Sequence, residues 1–401
     1  MTPHMPGLRN PTARQQQIMQ LAGELAAKLH ERAAENDPLS RFPLENYQDL
    51  HDSGYLRLAL PREFGGQGAD VFDMVLAQEI LARGDASTAL VTGMNLSLLG
   101  RVIDSDAWPH DVLAEICTTL ARDGGTINNC VTEAELGSIS RGGLPAMAGT
   151  RADGGWCIGG RKIFVTGAPV LRFLATAVVL PPSDAAPQGE LVSALVAGGS
   201  PGLTIEDTWS GALGLRGCGN YAVNYDNVFV PDARIVERAT VGGERKRPGT
   251  SGWNLPLAAV YLGIGQAACD AACHYANNRV PVALGAPIAG QSHIQQWIGE
   301  IDLALRAARS VLHETARAWV ARSASPAELA TSIAAAKYLC TNAACRVTET
   351  ALRVAGGFSM TRDPPLERYF RDARGGLFQP PQDDLALGMI GRTALEAERV
   401  R

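Results

Sequence analysis

A chain of 401 residues, 46% apolar and 19% charged, has enough hydrophobic surface to offset its conformational entropy, which excludes a mostly disordered protein and leaves room for two or three domains at about 150 residues each. Its 36 Lys and Arg against 41 Asp and Glu give a net charge of −5 with no run of five like charges, so a nucleic-acid-tracking surface is not expected and the expected partner is a small molecule.

The first residues, MTPHMPGLRNPTARQQQ, contain no apolar stretch of the kind a secretory signal needs, so the expected compartment is the cytoplasm. There the eight cysteines stay reduced. With no C-x-x-C and no His at ligand spacing they read as small buried hydrophobes, and no metal site is expected. Residues 12–122 carry apolar positions three and four apart in QQIMQLAGELAAKLHERAA, FDMVLAQEILARGD and WPHDVLAEICTTLARD, which predicts an N-terminal helical domain over residues 1–125. The Gly-rich joint Pro61–Asp70 ends in a cap for the helix that follows.

From Thr126 to Arg234 the pattern changes to short β-branched runs between turn residues, predicting a central antiparallel β domain over residues 126–236. Gly159-Gly160 and Asp226-Asn227 are expected at hairpin turns, and the segment from Pro181 is a polar loop. A basic connector, Glu237–Gly252, leads into long helical patterns over Leu255–Arg279, His293–Arg322 and Pro326–Ala355, a four-helix-type domain over residues 237–401. The uncharged stretch Pro248–Cys269 contains Asn254, Pro256 and Gln266, whereas a bilayer span needs about 20 mostly apolar residues, so it reads as a core helix and no membrane association is expected.

Familiar catalytic motifs fail. There is no phosphate-loop sequence, the Gly211–Gly219 cluster opens no helix as a dinucleotide fingerprint would, there is no G-x-S-x-G, and His313-Glu314 lacks the second His of a zinc protease.

Five phrases in order then resemble the acyl-CoA dehydrogenase flavoproteins across roughly residues 15–398: PREFGGQG from Pro61, CVTEAELGS from Cys130, GRKIFVTGAP from Gly160, GLRGCGNYAVNYDNVFVP from Gly214 and AGGFSMTRDPPLERYFRDAR from Ala355. The resemblance implies an α+β fold: a helical domain, a barrel-like β domain and a C-terminal four-helix bundle. It also implies a noncovalent FAD with its ring between the β domain and the C-terminal helices. Cys130, Thr132, Phe164 and Thr166 fall on the two flavin-facing β segments, where hydroxyl or backbone donors can stabilise charge on the reduced ring. Gly137 and Ser138 match positions near phosphate or ribityl oxygens. Arg279 matches the arginine that reaches a neighbouring subunit's pyrophosphate, and Gly356-Gly357 match the pair along the ADP part, so a homodimer or homotetramer is implied. Arg353 and Ser292 stand where the family has Gln, and Glu367 with Arg371 reads as a structural i,i+4 pair.

The family's catalytic Glu, nine residues after Arg371, is here Pro380, and an alternative Glu position on the first C-terminal helix is Trp253 beside Asn254. Two enzymatic expectations follow. The default is an acyl-CoA dehydrogenase of fatty-acid metabolism that transfers hydride to flavin and hands electrons to an electron-transfer flavoprotein, with Asp383 or Asp384 as displaced base. The other is a monooxygenase of the same fold fed by a flavin reductase. Asp383 and Asp384 also suit helix capping. A third expectation is a flavin-binding subunit without turnover; the retained Thr132, Thr166 and Arg279 argue against complete loss of the cofactor site and leave this expectation standing.

Overall fold

The computed structural model describes residues 10–136, 143–242 and 251–399, together with Met5 and Leu8. Helix α1 (Ala13–Leu39) opens on a capping box in which Thr12 and Gln15 exchange side-chain and backbone bonds, and α2 (Leu44–Asp52) follows it. The expected cap Asp70 starts α3 (Val71–Gly84), its carboxylate accepting from Asp73 N at 2.8 Å. Helices α4 (Ala86–Asp104) and α5 (His110–Asp123) complete the N-terminal unit.

The β region contains β1 (Thr126–Cys130), β2 (Ala148–Ala152), β3 (Gly155–Val165), β4 (Leu171–Leu180), β5 (Glu190–Ala197), β6 (Leu203–Glu206), β7 (Tyr221–Pro231) and β8 (Ile235–Thr240). They form one sheet in the order β6-β7-β3-β2-β4-β5-β8, with β1 on β4. The expectation of an antiparallel domain needs correction: β1 runs parallel to β4, and β2 meets β4 in parallel at Ala148 and Val179. Strand pairs whose partners lie some 45 residues apart are joined by a crossover, which allows parallel pairing that short-range patterning does not reveal. The two expected hairpin turns are also corrected. Gly160 and Asn227 both have positive φ, but they sit at a bulge inside the β3–β7 ladder, where a positive φ is as useful as in a turn. The tight turn is Asp153-Gly154, between β2 and β3.

The C-terminal unit contains α6 (Leu255–Asn278), α7 (Ser292–Ala321), α8 (Pro326–Ala355), α9 (Leu366–Ala373) and α10 (Asp383–Arg399). By length and composition alone α4 and the segment Gly252–Asn278 could cross a membrane, but 78% and 83% of their apolar windows are buried inside the protein, so both serve as core helices here. Helix α3 is buried along nearly its whole length, packed against α1 on one side and α6 on the other. A Cβ on Gly263 of α6 would lie 2.4 Å from Glu79 O, so only glycine permits this approach of α6 to α3.

The segment between β6 and β7, Asp207–Asn220, joins all three units. Ser40 Oγ donates to Ser210 O at 3.0 Å, Gly167 N donates to Cys218 O at 2.9 Å, and Leu215 N donates to the Asp372 carboxylate at 2.6 Å. The expected Arg371–Glu367 pair is present at 2.6 Å, and the same guanidinium also holds both Asp37 oxygens and Leu213 O. Burial pushes the Asp372 carboxyl up to about 7, with Asp37 adding to the shift and Leu215 N, Arg368 and Arg371 opposing it. A carboxyl raised in the fold contributes stability that is complete below its unfolded pKa and is lost as pH rises through about 7. Denaturant melts from pH 4 to 8 should therefore show a decline that Asp372→Asn, which keeps an acceptor for Leu215 N, flattens.

Candidate functional site

The β-domain face is built by a distorted end of β3. Phe164 has φ +56°, and the β3–β7 register shifts between Lys162 and Val165, so its ring leaves the sheet and stands 56% exposed. An aromatic in the left-handed region is strained, and bulges of this kind re-aim side chains. The ring meets Trp209 edge to face at 6.1 Å, and Trp209 is itself held by Nε1 donating to Leu215 O at 2.9 Å. Thr132 is half-buried beside this wall, its carbonyl accepting from Ile163 N at 2.9 Å. Thr166 is 7% exposed, its hydroxyl donating to Asn220 Oδ1 at 3.0 Å and its carbonyl accepting from Asn128 Nδ2 at 3.1 Å. Cys130 differs from these three. Its thiol is wholly buried in the β-domain core, where burial raises it to about 12, so only its backbone could serve a ligand. Gly137 and Ser138 lie outside the described residues.

Helix α4 packs between the β domain and the start of α6. Val91 packs under Gly167 and Asn95 Oδ1 accepts from Ile127 N at 2.9 Å, so one side of α4 faces the β domain. On its other side Gly93 lies under Leu257, Gly100 under the Trp253 ring, and Ser97 Oγ donates to Asn254 Oδ1 at 2.6 Å. Between the two sides Met94, Ser97 and Arg101 form a half-buried stripe at helical spacing. Trp253 is fixed by Nε1 donating to Asp104 at 2.9 Å, and Arg101 and Trp108 both donate to Glu237, at 2.8 and 2.7 Å. The acidic groups at these walls are already engaged.

At the opposite end of α6, Arg279 is exposed and its guanidinium lies 4.9 Å over the Phe358 ring. Gly356 and Gly357 lie beside Phe358, with no atom within 4 Å of where a Cβ would be. A planar cation, an exposed ring and an open glycine pair suit a phosphate with an attached flat base. The exposed Phe164 ring with Thr132 and Thr166 at its flanks suits a flat heteroaromatic with a polar edge. The chemistry of the two clusters is compatible with the two ends of an FAD, the Phe164 cluster with the ring and the Arg279 cluster with the ADP part.

The loop expected to carry a base is turned away from that work. Pro380 is exposed. Asp383 and Asp384 stand in the first turn of α10, and Asp383 Oδ2 accepts from Asn342 Nδ2 at 2.9 Å while Lys337 Nζ lies 3.5 Å from Oδ1. Sequence reading missed Trp209, the Ser97–Asn254 bond and the buried pair Glu133–Lys162, whose Nζ–Oε1 distance is 2.6 Å. Burial alone would raise the Glu133 carboxyl, but Lys162 and two backbone N–H groups hold it below the usual range. The available signal was a Lys at an inward position of an alternating strand.

Residues 12–107 match the family model of the acyl-CoA dehydrogenase N-terminal domain, and residues 255–376 that of the acyl-CoA dehydrogenase C-terminal domain. YdbM of Bacillus subtilis (strain 168), named for the acyl-CoA dehydrogenases, is 38% identical over 384 residues, covering 96% of this chain and 98% of YdbM. The human mitochondrial short-chain specific acyl-CoA dehydrogenase is 30% identical over 378 residues, covering 90% of this chain and 84% of the relative. Methanesulfinate monooxygenase MsuC from Pseudomonas fluorescens shares the fold, with a TM-score of 0.81 at 22% identity over 97% of this chain and 98% of its own.

Proposed function

The chain belongs to the acyl-CoA dehydrogenase family of flavoproteins, and from that premise we propose that it is an FAD-dependent oxidoreductase whose substrate step uses no side-chain carboxylate, a flavin monooxygenase in its chemistry. The observation that carries this reading is the state of the base positions. The loop position is Pro380, the alternative position is Trp253 bound to Asp104, and Asp383 is engaged by Asn342 and Lys337. Abstraction of a carbon-bound proton needs a base free to reach it, the role these carboxylate positions would fill, whereas oxygen transfer does not. The bound cofactor in its reduced form would supply two electrons to dioxygen, one oxygen atom passing to the substrate and the other leaving as water. The chain's part is to bind, orient and exclude water. Phe164 and Trp209 offer an apolar wall, Thr132 offers a hydroxyl donor, Thr166 is fixed behind it by its bond to Asn220, and Asn254, oriented by Ser97, offers an amide N–H to an acceptor oxygen on the substrate. A flavin reductase is the partner this chemistry requires. MsuC lends support as a monooxygenase on the same fold.

Acyl-CoA dehydrogenation is the second reading, favoured by the identity to YdbM and to the human short-chain enzyme. It requires Asp383 or Asp384 to act as base, and an electron-transfer flavoprotein as acceptor. The two readings separate when oxidised, FAD-loaded enzyme is mixed anaerobically with a panel of acyl-CoA thioesters and the flavin absorbance is followed. We expect no bleaching, and oxygenated product only once reduced flavin and air are supplied. Bleaching that disappears in Asp383→Asn or Asp384→Asn would establish the dehydrogenase instead.

A further inference from the structure

One buried ion pair ties together the two backbone segments that face the proposed flavin. Lys162 is 0% exposed and Glu133 5% exposed, and they meet at 2.6 Å. Glu133 directly follows Thr132, and Lys162 precedes Phe164 by two residues on β3. The Glu133 carboxylate also accepts from Ala146 N at 2.7 Å and Met147 N at 3.2 Å, fastening the start of β2 to the same point. Between the paired residues, Ile163 N donates to Thr132 O at 2.9 Å.

An ion pair buried in a β domain is a weak means of stabilising a fold. Desolvating both charges cancels much of their attraction, and apolar side chains of similar volume often serve as well. This pair, however, surrounds a strained element. Phe164 holds φ +56° inside a bulge, a conformation that persists only where neighbouring contacts over-determine it. Its neighbours are all pinned: Lys162 by Glu133, Ile163 by Thr132, and Thr166 by Asn128 and Asn220. A direction-specific charged bond resists the rotation that would let the bulge relax, which an apolar contact would not.

We infer that Glu133 and Lys162 are positioning residues that hold Thr132 and Phe164 in their flavin-receiving conformation before the cofactor arrives. The inference rests on the proposed cofactor site, and its consequence is that the cofactor meets a preorganised face instead of ordering one.

Two measurements on the full chain test it. In flavin-free wild-type protein, the amides of Met147 and Ile163 should exchange as slowly as those of the β-domain core. Fast exchange there, with protection appearing only after FAD is added, overturns the inference. In the second, Glu133→Gln and Lys162→Met are combined, keeping both shapes and removing both charges. The double variant should melt close to wild type yet bind FAD at least about tenfold more weakly, because ordering the segments is now charged to binding. Wild-type affinity in a folded double variant also overturns the inference. If the double variant does not fold, the exchange measurement on wild type decides alone. Wild-type protein that binds neither FAD nor FMN counts against the cofactor reading itself, a failure recognised before any substitution is made.

Discussion

Arg279→Met should lower FAD affinity by about 10- to 100-fold while leaving FMN affinity unchanged, since a charge-assisted phosphate contact is worth about 1.5–3 kcal/mol. Arg279 caps the C-terminal end of α6, whose N-terminal end carries Asn254 and Leu257. At 1.5 Å per residue, the 24 residues of α6 separate these ends by about 36 Å. The β-domain face of Phe164 and Thr166 lies near the N-terminal end, because Gly167 rests on Val91 of α4 and α4 packs against the start of α6 at Leu257. The two clusters of one chain thus lie toward opposite ends of α6, which is the ground for proposing that the Arg279 cluster serves the FAD of a second copy. FMN shares the ring and first phosphate but has no adenosine to reach that cluster, which is why it should be indifferent to the substitution. Fluorescence titration of the apoprotein with each cofactor measures both affinities. Equal losses for FAD and FMN would show that Arg279 acts through the fold and not through the ADP part.

The helices were legible because core-facing periodicity is a local property. The expected Pro326–Ala355 helix is observed at those bounds, and His293–Arg322 is observed as Ser292–Ala321. Strand direction was not legible, since β1 and β4 are joined only by a contact distant in sequence. Turn-forming pairs such as Asp226-Asn227, of which Asn227 has positive φ, announce a departure from regular strand but not whether it is a turn or a bulge. The site divides in the same way. Thr132, Phe164 and Thr166 belong to contiguous phrases that could be recognised, and Arg279 was matched as a single position at the end of a helix. Trp209 on Phe164, Ser97 on Asn254 and Glu133 on Lys162 are meetings of separate segments that no single phrase contains. The Asp383-Asp384 pair was visible as an acidic start to a helix, and the structure adds that Asn342 and Lys337 hold Asp383 there.

Glu79→Gln should destabilise the protein by about 3–5 kcal/mol at neutral pH, the cost of leaving a buried arginine without its counter-charge. Glu79 is fully buried on α3. Its Oε1 accepts from Arg309 Nε at 3.0 Å and Nη2 at 2.8 Å, Arg83 lies at 3.5 Å, and His313 Nε2 lies 3.6 Å from Oε2. Arg309 also donates to Gln266 Oε1 at 2.8 Å, so the cluster fastens α3 to both α6 and α7. Burial alone would raise the Glu79 carboxyl, but Arg309 and the neighbouring His313 and Arg83 together outweigh it and bring it down to about 2. A carboxyl lowered in the fold gives stability that is complete above its unfolded pKa of 4.5 and is lost as pH falls toward about 2. The gap between wild type and Glu79→Gln in urea melts should accordingly stay constant above pH 6 and close progressively below about pH 4.5. Equal midpoints at neutral pH would refute the prediction. Replacing both members, with Glu79→Leu and Arg309→Met, should recover most of the loss, because the penalty comes from the uncompensated charge and not from a missing contact. Helix α6 carries Asn254 at one end and Arg279 at the other, so a recovered double variant should also regain FAD affinity. If stability returns without it, the charges of the cluster, and not only its packing, set the position of α6.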